Sequence, residues 1–508
     1  MTQASCTSDV AQTKPSLKVR LRERFRWSDA LSLGIWKRRR LTPASVRRTP
    51  KDAIAKPDRA GDTCSPGAIR ARVLRLTWPV VVEQMLATTV GLANTYVVGH
   101  LGAAALAAVG LSTQLVNLSI ALFSAVGVGS TALVARHVGA NEPDEADRVA
   151  GQSLLLALAV GLVAAVPCLW WGRRLLVALG GAGDVVALGW AYLLAVGTTM
   201  PLMSLLFIGN AVLRGAGDTR TPMAVMGLVN LINISVSCSL VYGLGPLPTL
   251  GVLGAGVGSA VGVGVGGLIV AVFLLRGRST VGLRVAPAAL QFHPGRARRL
   301  LRVGLPAGVE QMAMRMAQLV MATVVTHLGT AAYAGHQLGI QLLSAAFLPG
   351  FGFSVAATTL VGQELGRGAP RRAEACVYSA CWMTTALMCS VGLAAYALAQ
   401  PLLQAFTSDL DVVAQGLYAV RGCALIELPL AVYFVLAGAL RGAGDTRFVL
   451  FVQAVCIWLV RLPLAHRLAI VFGLGLSGVW AAMIVDMVAR ASLLALRFRG
   501  GAWKWISV

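Results

Sequence analysis

The sequence predicts an all-α polytopic membrane protein with twelve transmembrane helices in two six-helix lobes. Three observations support this fold class. First, 56% of the 508 residues are apolar and only 13% are charged, and the mean hydropathy of +0.72 lies far outside the range of soluble domains. Second, apolar runs long enough to cross about 30 Å of hydrocarbon recur between short polar turns. Third, the chain contains an internal repeat.

The apolar runs divide the chain into twelve predicted spans. Gly accounts for 56 residues and prolines fall inside several spans, so we expect close helix contacts and kinks, which neighbouring helices make tolerable in lipid. Glycines at every fourth position from Gly254 to Gly266 predict a helix-packing face. The spans lie near residues 74–98, 108–135, 149–171, 186–213, 221–243, 252–275, 300–326, 332–361, 375–399, 413–440, 447–466 and 476–496.

The repeat has a constant displacement of 227 residues. The segment PVVVEQM at 79–85 returns as PAGVEQM at 306–312, and LRGAGDT at 213–219 returns unchanged at 440–446. A displacement that stays constant over six helices indicates a duplicated unit. Because six is even, both units enter the membrane from the same side, which predicts a pseudo-twofold axis along the membrane normal.

The repeat also predicts the domain organisation. We expect a disordered basic tail at 1–68, an N-lobe at 69–276, a cytoplasmic linker at 277–299 and a C-lobe at 300–508. The tail is rich in Arg, Ser, Thr and Pro. This composition is typical of a solvated extension and also of an organelle transit peptide. The aspartates at 52, 58 and 62 argue against a transit peptide, which would be poor in acidic residues.

The formal charge is +23, and the distribution of its basic residues along the chain indicates the membrane topology. If the N-terminus is cytoplasmic, the basic residues between spans collect on the cytoplasmic side, as the positive-inside rule requires. We therefore expect a multi-pass protein of the cell membrane (inner or plasma membrane) and no nucleic-acid partner. The nine cysteines, an odd number, lack metal-ligand spacing, so no metal site is predicted.

Three segments carry a resemblance to a known family. They are NTYVVGHLG at 94–102, the paired LRGAGDT turns, and AATTLVGQ at 356–363. Together with twelve helices in two halves, over about residues 70–500, they resemble the bacterial-type MATE (multidrug and toxic compound extrusion) transporters. The resemblance implies an antiporter, driven by inward movement of H⁺ or Na⁺, that exports bulky and often cationic or amphipathic compounds. Two lobes facing one cavity are suited to alternating access.

Carboxylates inside the predicted spans are the first candidates for function, because a charge in lipid is costly unless it is paired or hydrated. Glu83 and Glu310 follow a proline in the first helix of each lobe, and Glu427 lies midway through helix ten. We predict ion coupling at these three. For Glu83 and Glu310 the alternative is structural, since the repeated Glu-Gln pair can hydrogen-bond neighbouring helices. Asp486 has Arg490 one turn away, which predicts a plain ion pair.

The chain departs from the family in its N-lobe acids. Many bacterial members carry an aspartate where this chain has Asn94, and another group carries one at the position of Ser237, four residues after Asn233. Amides and hydroxyls cannot exchange a proton near neutral pH. Either Glu83, three turns before Asn94 on the same helix face, replaces the missing acid, or the C-lobe carries the coupling.

Further polar residues in the spans are candidates for contact with substrate in the cavity. A salt bridge from Arg315 to Glu310 or Glu427, released by proton uptake, is a further prediction. His336 can titrate near physiological pH, although a single buried histidine is more often structural. The full set of cavity candidates is Gln84, Asn94, Asn233, Gln311, Arg315, His336, Gln337 and Gln341.

The function predicted from these features is secondary active transport of small molecules by a monomer in the lipid bilayer. The sequence shows no nucleotide-binding loop, metal cluster or catalytic triad, so neither an enzyme nor a cofactor beyond the driving ion is expected. One alternative is a flippase for a lipid-linked sugar or a similar lipid, a class that tends toward extra helices and a cationic cavity. Another is a signalling protein that has lost transport, which only Asn94 supports.

Overall fold

The protein is described by a computed structural model that covers residues 65–243, 248–277, 283–407 and 409–506. Nearly all of the predicted basic tail, and residues 278–282 of the predicted linker, lie outside these ranges. The covered chain forms helices joined by short turns. They are α1 (Pro66–Gly99), α2 (Ala103–Gly139), α3 (Pro143–Trp170), α4 (Gly172–Ala178), α5 (Asp184–Thr198), α6 (Met200–Ala216), α7 (Arg220–Tyr242), α8 (Val252–Arg276), α9 (Pro294–Thr326), α10 (Thr330–Gly366), α11 (Pro370–Ala397), α12 (Ala399–Phe406), α13 (Leu410–Ala443), α14 (Thr446–Val455), α15 (Leu462–His466) and α16 (Gly475–Arg499).

The helix boundaries reproduce the sequence repeat. α2 and α10 both have 37 residues, and α3 and α11 both have 28 residues with a proline in the first turn. Each of these pairs begins and ends 227 residues apart. The duplication is therefore present in the fold as well as in the sequence. The boundaries between tail, lobes and linker stay a prediction, and α9 begins at Pro294, inside the predicted linker.

The described helices account for the predicted number of spans. Nine are long and apolar enough to cross a membrane, and two bent helix pairs raise this number to eleven. One of the bends, of 56°, separates α5 from α6. α9 completes the twelve as the repeat partner of α1. It is less apolar than the other spans because Glu310, Gln311 and Arg315 lie in its middle. Span eleven is α14 and α15 with π-helical turns at Cys456–Arg461 and Arg467–Val471.

The two lobes meet at one end of the bundle, which we call the basic end. It carries the turns α2–α3, α6–α7, α10–α11 and α13–α14, and the start of α9. At this end α2 and α10 cross at paired glycines. A Cβ on Gly139 would lie 2.0 Å from the carbonyl oxygen of Gln363, and one on Gly366 would lie 2.1 Å from that of Arg136. Both pairs of positions are 227 apart, so the pseudo-twofold axis passes between these helices.

A second pair of crossed contacts follows the same axis. Gly304 and Gly308 of α9 pack on Ala125 of α2, where a Cβ on Gly304 would lie 1.6 Å from the Ala125 carbonyl oxygen. The equivalent positions of α1, Thr77 and Val81, contact Gly352 of α10. Each lobe therefore places its first helix against the second helix of the other. The predicted arrangement of two lobes about a pseudo-twofold axis is confirmed.

Polar contacts join the lobes at the basic end. Arg72 of α1 donates to Glu364 Oε1 at 2.6 Å and to Gln363 Oε1 at 3.2 Å, both on α10. Thr359 donates to the backbone carbonyl of Arg214 at 2.9 Å, across the same interface. Glu364 is almost fully buried. A charge-assisted bond in such a position is stronger than one at an open surface, so this end is firmly closed.

The helix faces that meet at the basic end diverge toward the opposite end. Positions seven residues apart lie on one face of a helix, so the face of α9 that carries Gly308 continues through Arg315, and that of α1 continues from Val81 through Thr88. Arg315 and Thr88 are both exposed. An exposed arginine midway along a span is costly against lipid and faces water or protein instead. From this exposure we infer a cavity between the lobes that opens away from the basic end.

Candidate functional site

Glu83 and Glu310 form equivalent buried ion pairs. Arg214 of α6 donates from Nη1 to Glu83 Oε1 at 2.8 Å, and Arg441 of α13 donates from Nη2 to Glu310 Oε1 at 2.5 Å. The two pairs are related by the 227-residue displacement. Each ties the first helix of a lobe to the end of its fourth span. The arrangement corresponds to the structural alternative for these acids, and Arg441 takes the place beside Glu310 that the sequence had suggested for Arg315.

The surroundings of the two pairs differ. Asn210 donates to Glu83 Oε1 at 3.3 Å, while Glu83 Oε2 is buried without a partner among the described residues. In the C-lobe the Tyr433 hydroxyl lies 3.5 Å from Glu310 Oε1 and donates to Gln453 Oε1. Glu310 therefore belongs to a larger polar network than its N-lobe counterpart.

This network continues to a second buried acid. Asp486 of α16 accepts from Arg490 Nε at 2.9 Å, which confirms the predicted ion pair, and Arg461 Nε lies 3.7 Å from the same carboxylate. The Arg490 guanidinium also lies 5.8 Å from the ring centroid of Tyr433, within the range of a cation–π contact. Side chains of α9, α13, α16 and span eleven are thus linked through the interior of the C-lobe.

Glu427 lacks such a partner. It lies on α13, is 1% exposed, and makes no ion pair within the described ranges, where its Oε2 is buried without a hydrogen bond. α11 approaches it at Gly392, where a Cβ would lie 2.8 Å from Glu427 Cγ. A charge at this position would have no counter-ion in the described part of the lobe, so a proton or a cation has to compensate it.

The predicted N-lobe candidates gather in a neutral cluster. The amides of Asn94 and Asn233 both donate to Ser259 Oγ, at 3.0 Å and 3.1 Å. Asn94 Oδ1, Asn233 Oδ1 and Ser237 Oγ are buried and have no hydrogen-bond partner in the covered ranges. The cluster offers oxygen acceptors but no group that exchanges a proton near neutral pH. Glu83 is engaged by Arg214 and joins none of these bonds, so the structure does not place it as a substitute for an acid at Asn94.

Three other candidates lie where the lobes separate. Gln311 and Arg315 are exposed on α9 beyond its contact with α2, and Gln341 is exposed on α10. Gln341 is eleven residues, about three turns, before Gly352 and so shares the face that meets α1. Gln114 of α2 stands 227 residues before Gln341 and is also exposed. This wall is polar and carries the positive charge of Arg315.

The remaining candidates have more local roles. Gln84 is half-buried beside Glu83 on α1. Gln337 is exposed and donates to the Tyr333 hydroxyl at 2.8 Å, one turn away. His336 is 6% exposed and its ring centroid lies 5.7 Å from that of Trp480 on α16, so it faces the core of the C-lobe.

Arg214 and Arg441 were not predicted as partners of the two acids. They directly follow the predicted spans that end at 213 and 440 and so counted among the basic residues between spans, although both are part of the LRGAGDT repeat. Each arginine follows its glutamate by 131 residues. Because acid and base repeat together, the shared displacement was a signal that could have identified the pairs.

Comparisons with known proteins agree with this architecture. Residues 79–238 and 306–466 each match the sequence model of the MatE family, and the two matches begin 227 residues apart. The probable multidrug resistance protein NorM of Thermotoga maritima is 31% identical over 437 residues, which cover 86% of this chain and 93% of that protein. The multidrug resistance protein MdtK of Edwardsiella ictaluri is 26% identical over 443 residues, which cover 84% and 94%.

Solved structures share the fold. A crystal structure of MATE in complex with MaD3S superposes with a TM-score of 0.80 at 25% identity and covers 86% of this chain and 97% of its own. A second structure, described as the outward-facing conformation of a multidrug resistance MATE family transporter of the MOP superfamily, gives 0.80 at 24% identity with the same coverage.

Proposed function

Because the chain belongs to the MatE family of multidrug efflux transporters, we propose that it is an antiporter in which inward movement of H⁺ or Na⁺ drives the export of bulky amphipathic compounds, cationic ones among them. The observation that carries this proposal is the exposure of α1 and α9 at Thr88 and Arg315, beyond the contacts between the lobes. The lobes touch through Gly304 and Ala125 and through Arg72 and Glu364 at the basic end, while the continuing faces are exposed. This is the geometry of one state of an alternating-access carrier.

The orientation follows from the charge pattern. If the basic end is cytoplasmic, the cavity opens to the outside and the chain is in its outward-open state. The opposite state requires the contacts at the basic end to separate. The Arg72–Glu364 bond and the crossed helix contacts are then the interactions that a bound ion or substrate has to outweigh, because a ligand shifts such an equilibrium only by its differential affinity for the two states.

Glu427 is the acid best placed to couple this change to an ion. Glu83 and Glu310 have arginine partners and Asp486 has two, whereas Glu427 has none among the described residues. When Glu427 takes up a proton or a cation, its buried negative charge is compensated. When the ion is released on the other side of the membrane, the uncompensated charge returns. Coupling is therefore expected to lie in the C-lobe.

The proposal can be tested by reconstitution in proteoliposomes. Transport of a fluorescent amphipathic cation is measured with a proton gradient or a sodium gradient imposed separately, for the parent, for Glu427→Gln and for the control Glu142→Gln, which removes an exposed acid at the basic end. We expect one gradient to drive the parent and the control, and Glu427→Gln to retain only exchange that is independent of the gradient. A parent that ignores both gradients contradicts antiport, and full gradient-driven transport by Glu427→Gln contradicts the assignment of this residue.

A further inference from the structure

The basic end of the C-lobe contains a cavity that the transport proposal does not use. It has a volume of about 380 Å³, within the range of small-molecule pockets. It lies between the start of α9, the α13–α14 turn and the segment that follows α16. Its lining combines three arginines with an acid and two apolar side chains, namely Arg299, Arg302, Arg447, Asp445, Val303 and Ile506.

The charge of this cavity is not neutralised by the protein. Arg299, Arg302 and Arg447 are exposed and form no ion pair within the described ranges. Asp445 is engaged elsewhere, because its Oδ2 accepts from Arg497 Nε at 2.9 Å. The three guanidinium groups therefore present their charge to a shared space whose lining carboxylate, Asp445, is already paired with Arg497.

Comparison with the N-lobe shows that the two lobes differ at one of these three arginines, since the copies of Arg302 and Arg447, which are Arg75 and Arg220, are also exposed. The arginine equivalent to Arg299 is Arg72, which is bound by Glu364 and Gln363 of the opposite lobe. The residues that stand 227 positions before these acceptors are His137 and Arg136, which cannot serve Arg299 as anionic partners, and His137 is already bonded to Glu142. The C-lobe copy therefore has the arginine but no acid at the equivalent position.

The start of α14 adds a second difference. In the N-lobe, Asp218 accepts from the backbone N–H of Thr221 at 3.0 Å and so caps α7. The equivalent Asp445 makes no such bond to α14, and its Oδ2 accepts from Arg497 instead. The first N–H groups of α14 are thus without a side-chain cap at the wall of the cavity. Uncapped N–H groups and the helix dipole favour an anion there.

From these observations we propose that this cavity binds the phosphate of an anionic phospholipid headgroup. Phosphate matches the chemistry of the site, since guanidinium groups bind its oxygens in bidentate geometry. The position favours a lipid, because the start of α9 and the short α13–α14 turn are ends of spans, where the phosphates of a bilayer are expected. Basic pockets between transmembrane helices are known to hold such headgroups. Val303 and Ile506 supply an apolar side for the glycerol backbone.

The test compares lipid retention by the full-length purified protein in an equal mixture of phosphatidylglycerol and phosphatidylcholine, with bound lipids counted by native mass spectrometry. The pocket variant carries Arg299→Gln, Arg302→Gln and Arg447→Gln. The control carries Arg276→Gln, Arg298→Gln and Arg371→Gln, which removes the same charge from exposed arginines of the same end that lie outside the pocket and outside its N-lobe copy. We expect the parent and the control to prefer phosphatidylglycerol by about tenfold and the pocket variant to lose this preference.

A second arm separates lipid from free anion. Inorganic phosphate is titrated against the bound lipid, and millimolar phosphate is expected to leave phosphatidylglycerol in place. Complete displacement together with equal retention of both lipids would assign the site to a soluble phosphate and overturn the lipid proposal. Equal loss in pocket variant and control would show diffuse attraction to the membrane, which also overturns it. Should the triple variant not purify, Arg447→Gln alone is expected to weaken retention by roughly fivefold, and unchanged retention contradicts the site.

Discussion

The buried pair of Glu310 and Arg441 gives a prediction that separates structure from ion coupling. In the single variant Glu310→Gln the charge of Arg441 loses its only ion-pair partner in the described chain. In Arg441→Gln the Glu310 carboxylate instead loses its ion-pair partner. In the double variant two neutral amides face each other, and a hydrogen bond between them remains possible. The three variants together form a double-mutant cycle for this pair.

The magnitude follows from burial. Removing one partner of a buried pair costs about 3–5 kcal/mol. We expect a loss of unfolding free energy at the lower end, about 3 kcal/mol, because the Arg441 side chain is 20% exposed to solvent. For a unit the size of one lobe this corresponds to a fall of about 6–12 °C in the midpoint of thermal unfolding. The double variant leaves no unpaired charge. Its free energy of unfolding is therefore expected to fall by about 1 kcal/mol, which corresponds to 2–4 °C in the midpoint.

The assay is the loss of monodisperse protein on heating in detergent, measured for parent, both single variants and the double variant. Glu83→Gln and Arg214→Gln provide the matched pair in the N-lobe and should show the same pattern. Single variants that melt with the parent, or a double variant that melts below both singles, would refute the reasoning. Transport by the stable double variant then shows whether Glu310 has a role beyond this pair.

Three further substitutions test the interfaces and the cavity. Gly304→Ala introduces a Cβ 1.6 Å from the Ala125 carbonyl oxygen. We expect it to destabilise the closed basic end by about 1–3 kcal/mol, measured as a lower midpoint of thermal unfolding. The control Gly91→Ala places its Cβ in open space and should unfold with the parent. Arg315→Gln removes a positive charge from the cavity wall and should lower KM for a cationic substrate by about fivefold and raise it for an anionic one; equal changes for both would contradict its place in the cavity. Gly258→Ala meets a serine hydroxyl of α7 at 2.1 Å, so a similar 1–3 kcal/mol loss is expected, and an unchanged midpoint would argue against the predicted packing face.

Much of the architecture could be predicted from local patterns. Span positions follow from hydropathy, and the repeat fixed the correspondence between lobes. The glycine ladder from Gly254 to Gly266 does pack on α7, because small residues at four-residue spacing leave one helix face open to a neighbour. His100 and His327, at equivalent places in the repeat, both bond to carbonyl oxygens in the last turns of α1 and α9.

The candidate site was less accessible to such reasoning. The sequence identified Glu83, Glu310 and Glu427 as unusual and could not say which of them is compensated. An arginine side chain reaches several ångströms across a helix boundary, and its partner is set by which helices are neighbours. Arg214 therefore appeared to belong to a loop, although it is 9% exposed and holds Glu83.

The sequence by itself determined that the chain is a duplicated membrane bundle, since hydropathy and a constant displacement are properties of the chain that folding does not alter. Only the tertiary structure decided which repeated residues have the same charge partners in both lobes. The Glu–Arg pairs are present in both lobes, whereas Glu427 has no ion-pair partner in the described C-lobe and Arg299 lacks an acid equivalent to the one that pairs with its copy Arg72. The physical reason is that compensation of a charge depends on distance in space, and residues that are far apart along the chain supply it.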